Sequence, residues 1–162
     1  MRSLSVFLFV LFLNVPLFGQ EPPTKLPDFE FMKYDSSTFS QKQLNPKKQT
    51  LIIFFDATCG HCQEAMKKVN ARYDELKQLN LLLISMDVEK SVKMFLTAYG
   101  PKMLNNDKVT VLMDSKYEFV PLFHPKQYPS LYLYGKNKDL LMYANNDEKI
   151  NDLFNLIAKN QK

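Results

Sequence analysis

Two thiols separated by two residues are the part of this chain best suited to chemistry. Cys59 and Cys62 are its only cysteines. An apolar run over residues 51–55 precedes them and a helical pattern over residues 63–79 follows, so the pair is predicted to lie where a buried strand turns into a helix. A helix start presents unpaired backbone N–H groups and the positive end of the helix dipole, and both favour a thiolate, the nucleophile in disulfide exchange. We therefore expect Cys59 to attack, and Cys62 to close or resolve the disulfide.

The histidine between the two cysteines, His61, is expected to tune their chemistry. A nearby imidazolium stabilises the Cys59 thiolate, and so stabilises the dithiol relative to the disulfide. The reduction potential then rises by about 30 mV for each 1.4 kcal/mol of such stabilisation. This does not set the direction of electron flow, so reduction, oxidation and isomerisation of client disulfides all stay open.

Length and composition describe one globular domain. The chain has 162 residues, of which 46% are hydrophobic and 23% charged, and its net charge is +4. Its lysines are scattered and form no basic helix or cluster, which argues against a nucleic-acid partner. The predicted thiol chemistry calls for no cofactor and no metal.

Residues 1–19 have the composition of a secretory signal peptide. Arg2 is followed by an almost unbroken apolar run over residues 4–18, shorter than the roughly 20 residues of a membrane-spanning helix. Cleavage is expected after this segment, and the alternative is an uncleaved membrane anchor formed by the apolar run. The proline-rich residues 20–27 are expected to be a flexible or extended linker, and residues 28–162 the folded domain.

The expected export to the periplasm bears on whether the cysteine pair serves stability or chemistry. Outside the cytoplasm, disulfides form and persist. A single pair closing so short a loop restrains the unfolded chain little, so its contribution to stability is small. The pair is therefore predicted to serve chemistry rather than stability.

Strands and helices alternate along the predicted domain. Strands are predicted over residues 28–31, 50–55, 81–86, 108–113, 130–134 and 140–144, and helices or turns over residues 63–79, 92–99, 115–122 and 150–158. Asn145 or Asn146 is positioned to cap the last helix. The pattern predicts an α/β fold, a central mixed β-sheet flanked by helices on both faces.

The order of strand, Cys59-Gly60-His61-Cys62, helix and a later Tyr128-Pro129-Ser130 ahead of a hairpin resembles the thioredoxin superfamily. The chain is similar to exported thiol–disulfide oxidoreductases of the TlpA/ResA type, because Leu26–Phe29 and Thr38–Ser40 resemble the entry segments of that group. The similarity spans residues 26–160. It implies a thioredoxin-like fold.

The resemblance also implies roles for residues outside the cysteine motif. Pro129 matches a cis proline whose loop faces the dithiol, and proline is the residue for which a cis bond is feasible. The backbone of Tyr128 would pair with an extended client chain. Thr58 stands where the family usually carries a tryptophan, so Tyr128, Pro129 and Thr58 are the expected client-binding residues.

Acid residues depart from the family's pattern. Many thioredoxins carry a buried acid six residues before the first cysteine, where this chain has Ile53. The ResA-like group places a glutamate three residues after the second cysteine, where this chain has Ala65. Asp56 and Glu64 are the nearby acids that would substitute as the proton acceptor for Cys62, and Asp56 is the preferred candidate.

Three alternatives stay open at this point. A metal-binding or delivery module would use Cys59, His61 and Cys62, and it would need His124 as a further ligand. A client-binding adaptor would keep the fold and use surface tyrosines. A peroxiredoxin-like peroxidase would want a threonine where Asp56 stands. The enzyme hypothesis implies protein thiols or disulfides as clients and, for a reductase, a membrane partner that donates electrons.

Overall fold

A seven-stranded mixed sheet organises the protein, which a computed structural model describes over residues 20–160. The strands are β1 (Glu30–Met32), β2 (Thr38–Ser40), β3 (Thr50–Phe54), β4 (Asn80–Ser85), β5 (Val109–Met113), β6 (Ser130–Tyr134) and β7 (Leu140–Ala144). The α-helices are α1 (Gly60–Ala71), α2 (Tyr73–Leu76), α3 (Glu89–Tyr99), α4 (Phe119–Phe123) and α5 (Asp147–Asn160). A short 3-10 helix covers Gln41–Gln43.

The strands lie in the order β2-β1-β5-β4-β3-β6-β7. The three strands β3, β4 and β5 are parallel, and the other neighbouring pairs are antiparallel. At the centre, Ile53 of β3 pairs with Leu83 on one side and Leu131 on the other. All five residues of β3 are buried, as a continuous apolar run predicts for a strand covered on both faces.

Alternate side chains of β3 enter two separate cores. Leu51 and Ile53 pack on the face covered by α1, α2, α3 and α5, which we call the helix face. Ile52 and Phe54 pack on the opposite face, the aromatic face, against α4 and phenylalanines of the segment around β1 and β2. The predicted mixed sheet with helices on both faces is confirmed, and the short helix α4 lies on the aromatic face.

The helix predicted over residues 63–79 is two helices. α1 already begins at Gly60, and Arg72 interrupts the path before α2. The Arg72 guanidinium donates to the carboxylate of Glu75 at 2.7–2.8 Å and lies 4.4 Å from the ring centre of Phe154 in α5. The interruption keeps the three- and four-residue spacing of the buried side chains, so the sequence pattern does not reveal it.

Side-chain acceptors contact backbone N–H groups at two other helix starts. The buried carboxylate of Asp114 accepts the N–H groups of Glu118 and Phe119, both at 2.9 Å, and α4 lies at the end of the short helix or turn predicted over residues 115–122. Asn146, one of the two predicted caps of α5, accepts the N–H of Lys149 at 3.0 Å.

The segment predicted as a flexible or extended linker lies alongside the hairpin of β6 and β7. The Leu26 N–H donates to the Lys138 carbonyl, and the Leu140 N–H donates to the Thr24 carbonyl, both at 2.8 Å. Within residues 20–160, no helix has the length and apolar character needed to cross a bilayer. The predicted signal peptide lies outside the described residues.

Candidate functional site

The turn from β3 into α1 presents the first cysteine at the helix start. Cys59 is the N-cap residue with extended backbone angles (φ −76°, ψ 118°), and its carbonyl accepts the N–H of Gln63 at 3.1 Å. The Cys59 side chain makes no capping hydrogen bond, and the first N–H groups of a helix have no acceptor within the helix itself. Cys59 is half-buried, and both cysteines are free thiols.

The second cysteine, one turn further along α1, lies in the core of the helix face. Cys62 is 1% exposed. Burial raises the pKa of the Cys62 thiol well above its usual range, and the neighbouring Cys59 and the charge of Asp56 raise it further. The backbone N–H of Asp56 opposes this shift because it donates to Cys62 Sγ at 3.5 Å, a contact that favours the thiolate. The two thiols thus occupy unequal environments.

Asp56, the preferred acid from the sequence, is in the turn beside Cys62. Its carboxylate accepts both the N–H and the hydroxyl of Thr58 at 2.7 Å. The other candidate acid, Glu64, pairs with Lys67 at 2.7 Å on the exposed side of α1. His61 is likewise exposed. Of the two acids, only Asp56 contributes to the electrostatics of Cys62.

A second loop, residues 124–129, reaches the dithiol from the start of β6. The Tyr128–Pro129 peptide bond is cis, as the resemblance implies, and Pro129 is buried. The Tyr128 ring lies 4.9 Å from the ring of Phe54. Burial raises the pKa of Tyr128 to about 12, and the charges of Asp56, Asp87 and Cys62 contribute in that order. The fold therefore brings this loop and the cysteine turn together.

Hydroxyl groups hold the loop of residues 124–129 in place. The Tyr143 hydroxyl accepts the N–H of Lys126 at 2.9 Å and lies 2.8 Å from the Ser130 hydroxyl. Ser130 Oγ donates to the Gln127 carbonyl at 2.6 Å, so Tyr143 is the donor to Ser130. Tyr143 therefore links β7 to the middle of this loop and to Ser130, the residue that follows it.

Like Tyr143, Asp87 supports the site in a way that the sequence does not predict. It follows β4, and its Oδ2 accepts the backbone N–H of Ala57 at 2.8 Å and the hydroxyl of Ser85 at 2.9 Å. In the sequence, Asp87 directly follows a buried strand, as the cysteine turn does. This position hints at a shared site, because the carboxyl ends of neighbouring parallel strands meet at one edge of a sheet. The predicted strand spans alone do not say that Asp87 contacts the cysteine turn.

The ligands required by the metal-binding alternative do not assemble. Among residues 20–160, no group of three or more histidine, cysteine or acidic side chains is arranged to hold a metal ion. His124 has a left-handed backbone (φ 49°), and its Nδ1 lies 3.0 Å from the Glu21 carbonyl. The alternative in which His124 completes a metal site with the cysteines therefore has no support among the described residues.

Known proteins are similar to this chain in sequence and in fold. A thioredoxin-like protein from Haemophilus influenzae is 25% identical over 140 residues, which cover 85% of this chain and 80% of that protein. A secreted disulfide oxidoreductase from Mycobacterium tuberculosis superposes with a TM-score of 0.64 at 17% identity, covering 81% of this chain and 95% of the other. The thioredoxin domain of a thiol–disulfide oxidoreductase from Bacteroides vulgatus gives a TM-score of 0.64 at 18% identity, covering 86% and 97%.

These structural likenesses establish a thioredoxin-like fold, in agreement with the fold expected from the sequence. The AhpC/TSA family model matches residues 22–141, a range that contains both cysteines, Asp87 and the cis proline. Because this match covers most of the sequence, the chain belongs to the AhpC/TSA family.

Proposed function

We propose that this protein is an exported thiol–disulfide oxidoreductase whose Cys59–Cys62 pair reduces or exchanges disulfides of client proteins. The observation that carries the proposal is the unequal burial of the two thiols, with Cys59 half-buried at the start of α1 and Cys62 1% exposed. A client disulfide can reach the Cys59 sulfur first. Cys62 is in reach of a client only through the Cys59 sulfur, which suits a resolving residue.

The proposed reaction proceeds through a mixed disulfide. The Cys59 thiolate attacks one sulfur of the client disulfide, the client S–S bond breaks, and one client thiolate leaves and takes a proton from solvent. Cys62 then loses its proton and attacks Cys59 Sγ. The Cys59–Cys62 bond forms, the bond to the client breaks, and the second client thiolate leaves. Two electrons pass from the protein dithiol to the client.

A second dithiol must return those two electrons if the protein acts as a reductase, and a membrane-bound donor is the proposed source. Without a donor, the disulfide form would oxidise client thiols and the dithiol form would isomerise client disulfides. Stabilisation of the Cys59 thiolate by a His61 imidazolium raises the reduction potential and favours the last two activities.

Other residues of the site receive proposed roles from their contacts. Asp56 accepts the proton of Cys62, because it lies in the turn beside that thiol, whereas Glu64 pairs with Lys67 on the exposed side of α1. The client chain is bound beside Cys59 by Tyr128, Pro129 and Thr58. Thr58 is exposed in the turn, so its side chain is accessible to a client. A client enters as an extended segment whose backbone pairs with that of Tyr128.

Export to the periplasm is proposed from residues 1–19 as a signal peptide, with residues 4–18 as a membrane anchor in the alternative. The fold likeness to a protein described as secreted, from Mycobacterium tuberculosis, supports the proposal. In this organisation, residues 28–162 form the redox domain and residues 20–27 join it to the N-terminal segment.

The first test is the reduction potential of the cysteine pair in the purified full chain, measured in glutathione buffers. A low potential supports a reductase supplied by a donor, and a high potential supports an oxidase or isomerase. A pair that fails to equilibrate with either glutathione or dithiothreitol would contradict both.

Trapping variants test the order of attack. Cys62→Ser should accumulate a mixed disulfide with glutathione disulfide, whereas Cys59→Ser should not, because its remaining thiol is buried. Equal trapping by the two variants would contradict the assignment of Cys59 as the attacking residue. Reduction of hydrogen peroxide much faster than reduction of a protein disulfide would replace the proposal with the peroxidase alternative.

A further inference from the structure

The turn that precedes Cys59 is tied to the neighbouring strand through one carboxylate. Asp87 Oδ2 accepts the backbone N–H of Ala57 at 2.8 Å, the only polar group that Ala57 can offer as a donor. The same oxygen accepts the hydroxyl of Ser85 at 2.9 Å, and the N–H of Asp87 donates back to Ser85 Oγ at 3.1 Å. Since Ser85 is fully buried in β4, the carboxylate is fixed on the sheet.

The residue beside Ala57 provides the polar contact to the buried thiol. The Asp56 N–H donates to Cys62 Sγ at 3.5 Å and favours the thiolate form of Cys62. The Ala57 N–H belongs to the next peptide along the chain, so holding it restricts the position of Asp56 as well. The chain of contacts runs from Ser85 through Asp87 and the turn to the Cys62 sulfur.

We propose that Asp87 is a positioning residue, which holds the turn so that the Asp56 N–H stays on the Cys62 sulfur while Cys62 attacks. The inference rests on the proposed function, because it concerns the second step of disulfide exchange. In that step the Cys62 thiolate forms the bond to Cys59 Sγ, the bond between Cys59 and the client breaks, and the client leaves as a thiolate that takes a proton from solvent. Asp87 itself exchanges neither electrons nor protons.

Hydrogen bonding, rather than charge, is the property of Asp87 that this role requires. The charges that act on Cys62 are those of Cys59 and Asp56, whereas the charge of Asp87 acts on Tyr128. An asparagine at this position keeps an amide oxygen that can accept from both Ala57 and Ser85, and it loses the charge. Alanine loses both properties, so the two substitutions separate them.

The test measures the two steps separately in the full chain, with glutathione disulfide as the probe and acid quenching to count the mixed disulfide. Asp87→Ala should leave mixed-disulfide formation within about twofold and slow its resolution about tenfold, the factor expected from losing the support of one hydrogen bond to a developing charge. Asp87→Asn should recover most of the resolution rate. Asp152→Ala, which removes an exposed carboxylate from α5, is the control for loss of one negative charge.

Three results would overturn the inference. Resolution at the normal rate in Asp87→Ala, an equal slowing of both steps, or the same defect in Asp87→Asn as in Asp87→Ala would each exclude positioning through hydrogen bonds. If Asp87→Ala does not fold, Ser85→Ala decides, with resolution slowed about threefold expected and no change overturning the inference. Failure of the unaltered chain to form any mixed disulfide would instead contradict the proposed function.

Discussion

The turn before α1 and the loop before β6 approach the dithiol from two sides, and they are held by different chemistry. Carboxylates fix the turn, where Asp87 accepts the N–H of Ala57 and Asp56 accepts that of Thr58. Hydroxyls fix the loop, where Tyr143 binds Lys126 and Ser130. In the turn, the fixed backbone includes an N–H that contacts the Cys62 sulfur. The loop has no such contact among those described, and it presents Tyr128 beside the site.

This difference separates two kinds of defect. Loosening the turn changes the environment of a thiol and so is expected to change the chemistry of Cys62. Loosening the loop is expected to change how a client chain binds and to leave the thiols as they are. Substitutions in the two regions should therefore differ in which measurement they affect.

Removing the shared support of both regions should have the largest effect. Phe54 lies just before the turn. The centre of its ring is 4.0 Å from that of Phe119 and 4.9 Å from that of Tyr128. Phe54→Ala leaves a cavity under both regions and should lower the free energy of unfolding by about 3–5 kcal/mol, measured by urea denaturation. Met94→Ala, at a side chain 64% exposed, should change it by less than about 0.5 kcal/mol. A comparable loss in both variants would contradict the role of Phe54.

Alkaline pH should lower the free energy of unfolding through Cys62, the thiol that the turn before α1 contacts. Above about pH 8.5 the thiol of the unfolded chain loses its proton, while the raised pKa keeps Cys62 protonated in the fold. The unfolded state then binds fewer protons, so stability falls with rising pH by up to about 1.4 kcal/mol per pH unit.

The measurement compares urea unfolding of the reduced protein and of Cys62→Ala between pH 8 and 10. The groups that face Cys62, the Asp56 carboxylate, the Cys59 thiol and the Tyr128 hydroxyl, are present in both proteins. The unaltered protein should have the steeper decline. Parallel pH profiles would mean that the Cys62 thiol titrates normally in the fold.

Loss of the Tyr143 hydroxyl should affect the loop before β6 and leave the turn before α1 unchanged. Tyr143→Phe removes the acceptor of the Lys126 N–H and the donor to Ser130, and should cost about 1–2 kcal/mol of stability. The apparent KM for a protein disulfide should rise, while the reduction potential of the pair stays unchanged. Tyr117→Phe, at a side chain 66% exposed, is the matched control. A changed potential would remove the distinction between the two regions.

The smallest effect is expected from the ion pair at the outer end of the loop. Glu21 and Lys126 lie 2.7 Å apart, with their side chains 76% and 44% exposed. An ion pair so open to solvent contributes about 0–1 kcal/mol, so Glu21→Gln should barely change the unfolding midpoint. A larger loss would show that the segment of residues 20–27 supports the loop more than its exposed contacts suggest.

The sequence identified the cysteine turn more completely than the loop or the strand behind it. Asp56 was found because it lies three residues from Cys59, and Glu64 was proposed for the same reason of proximity. Geometry separates them, since Glu64 is directed to Lys67 on the exposed side of α1. Asp87 and Tyr143 were not found, because each contributes to the site through a hydrogen bond to backbone N–H groups far away in the chain.

By itself, the sequence determined the dithiol, its place between a buried strand and a helix, the alternation of strands with helices and two candidate caps of α5, Asn145 and Asn146. Each depends on residue types at short spacing, and short spacing controls local backbone conformation and which face is apolar. Only the tertiary structure decided the interruption of the long helix at Arg72, the unequal burial of the two thiols and the use of Asp87 and Tyr143 as supports. Those features depend on which backbone groups meet across the sheet edge, and every residue type carries nearly the same backbone groups.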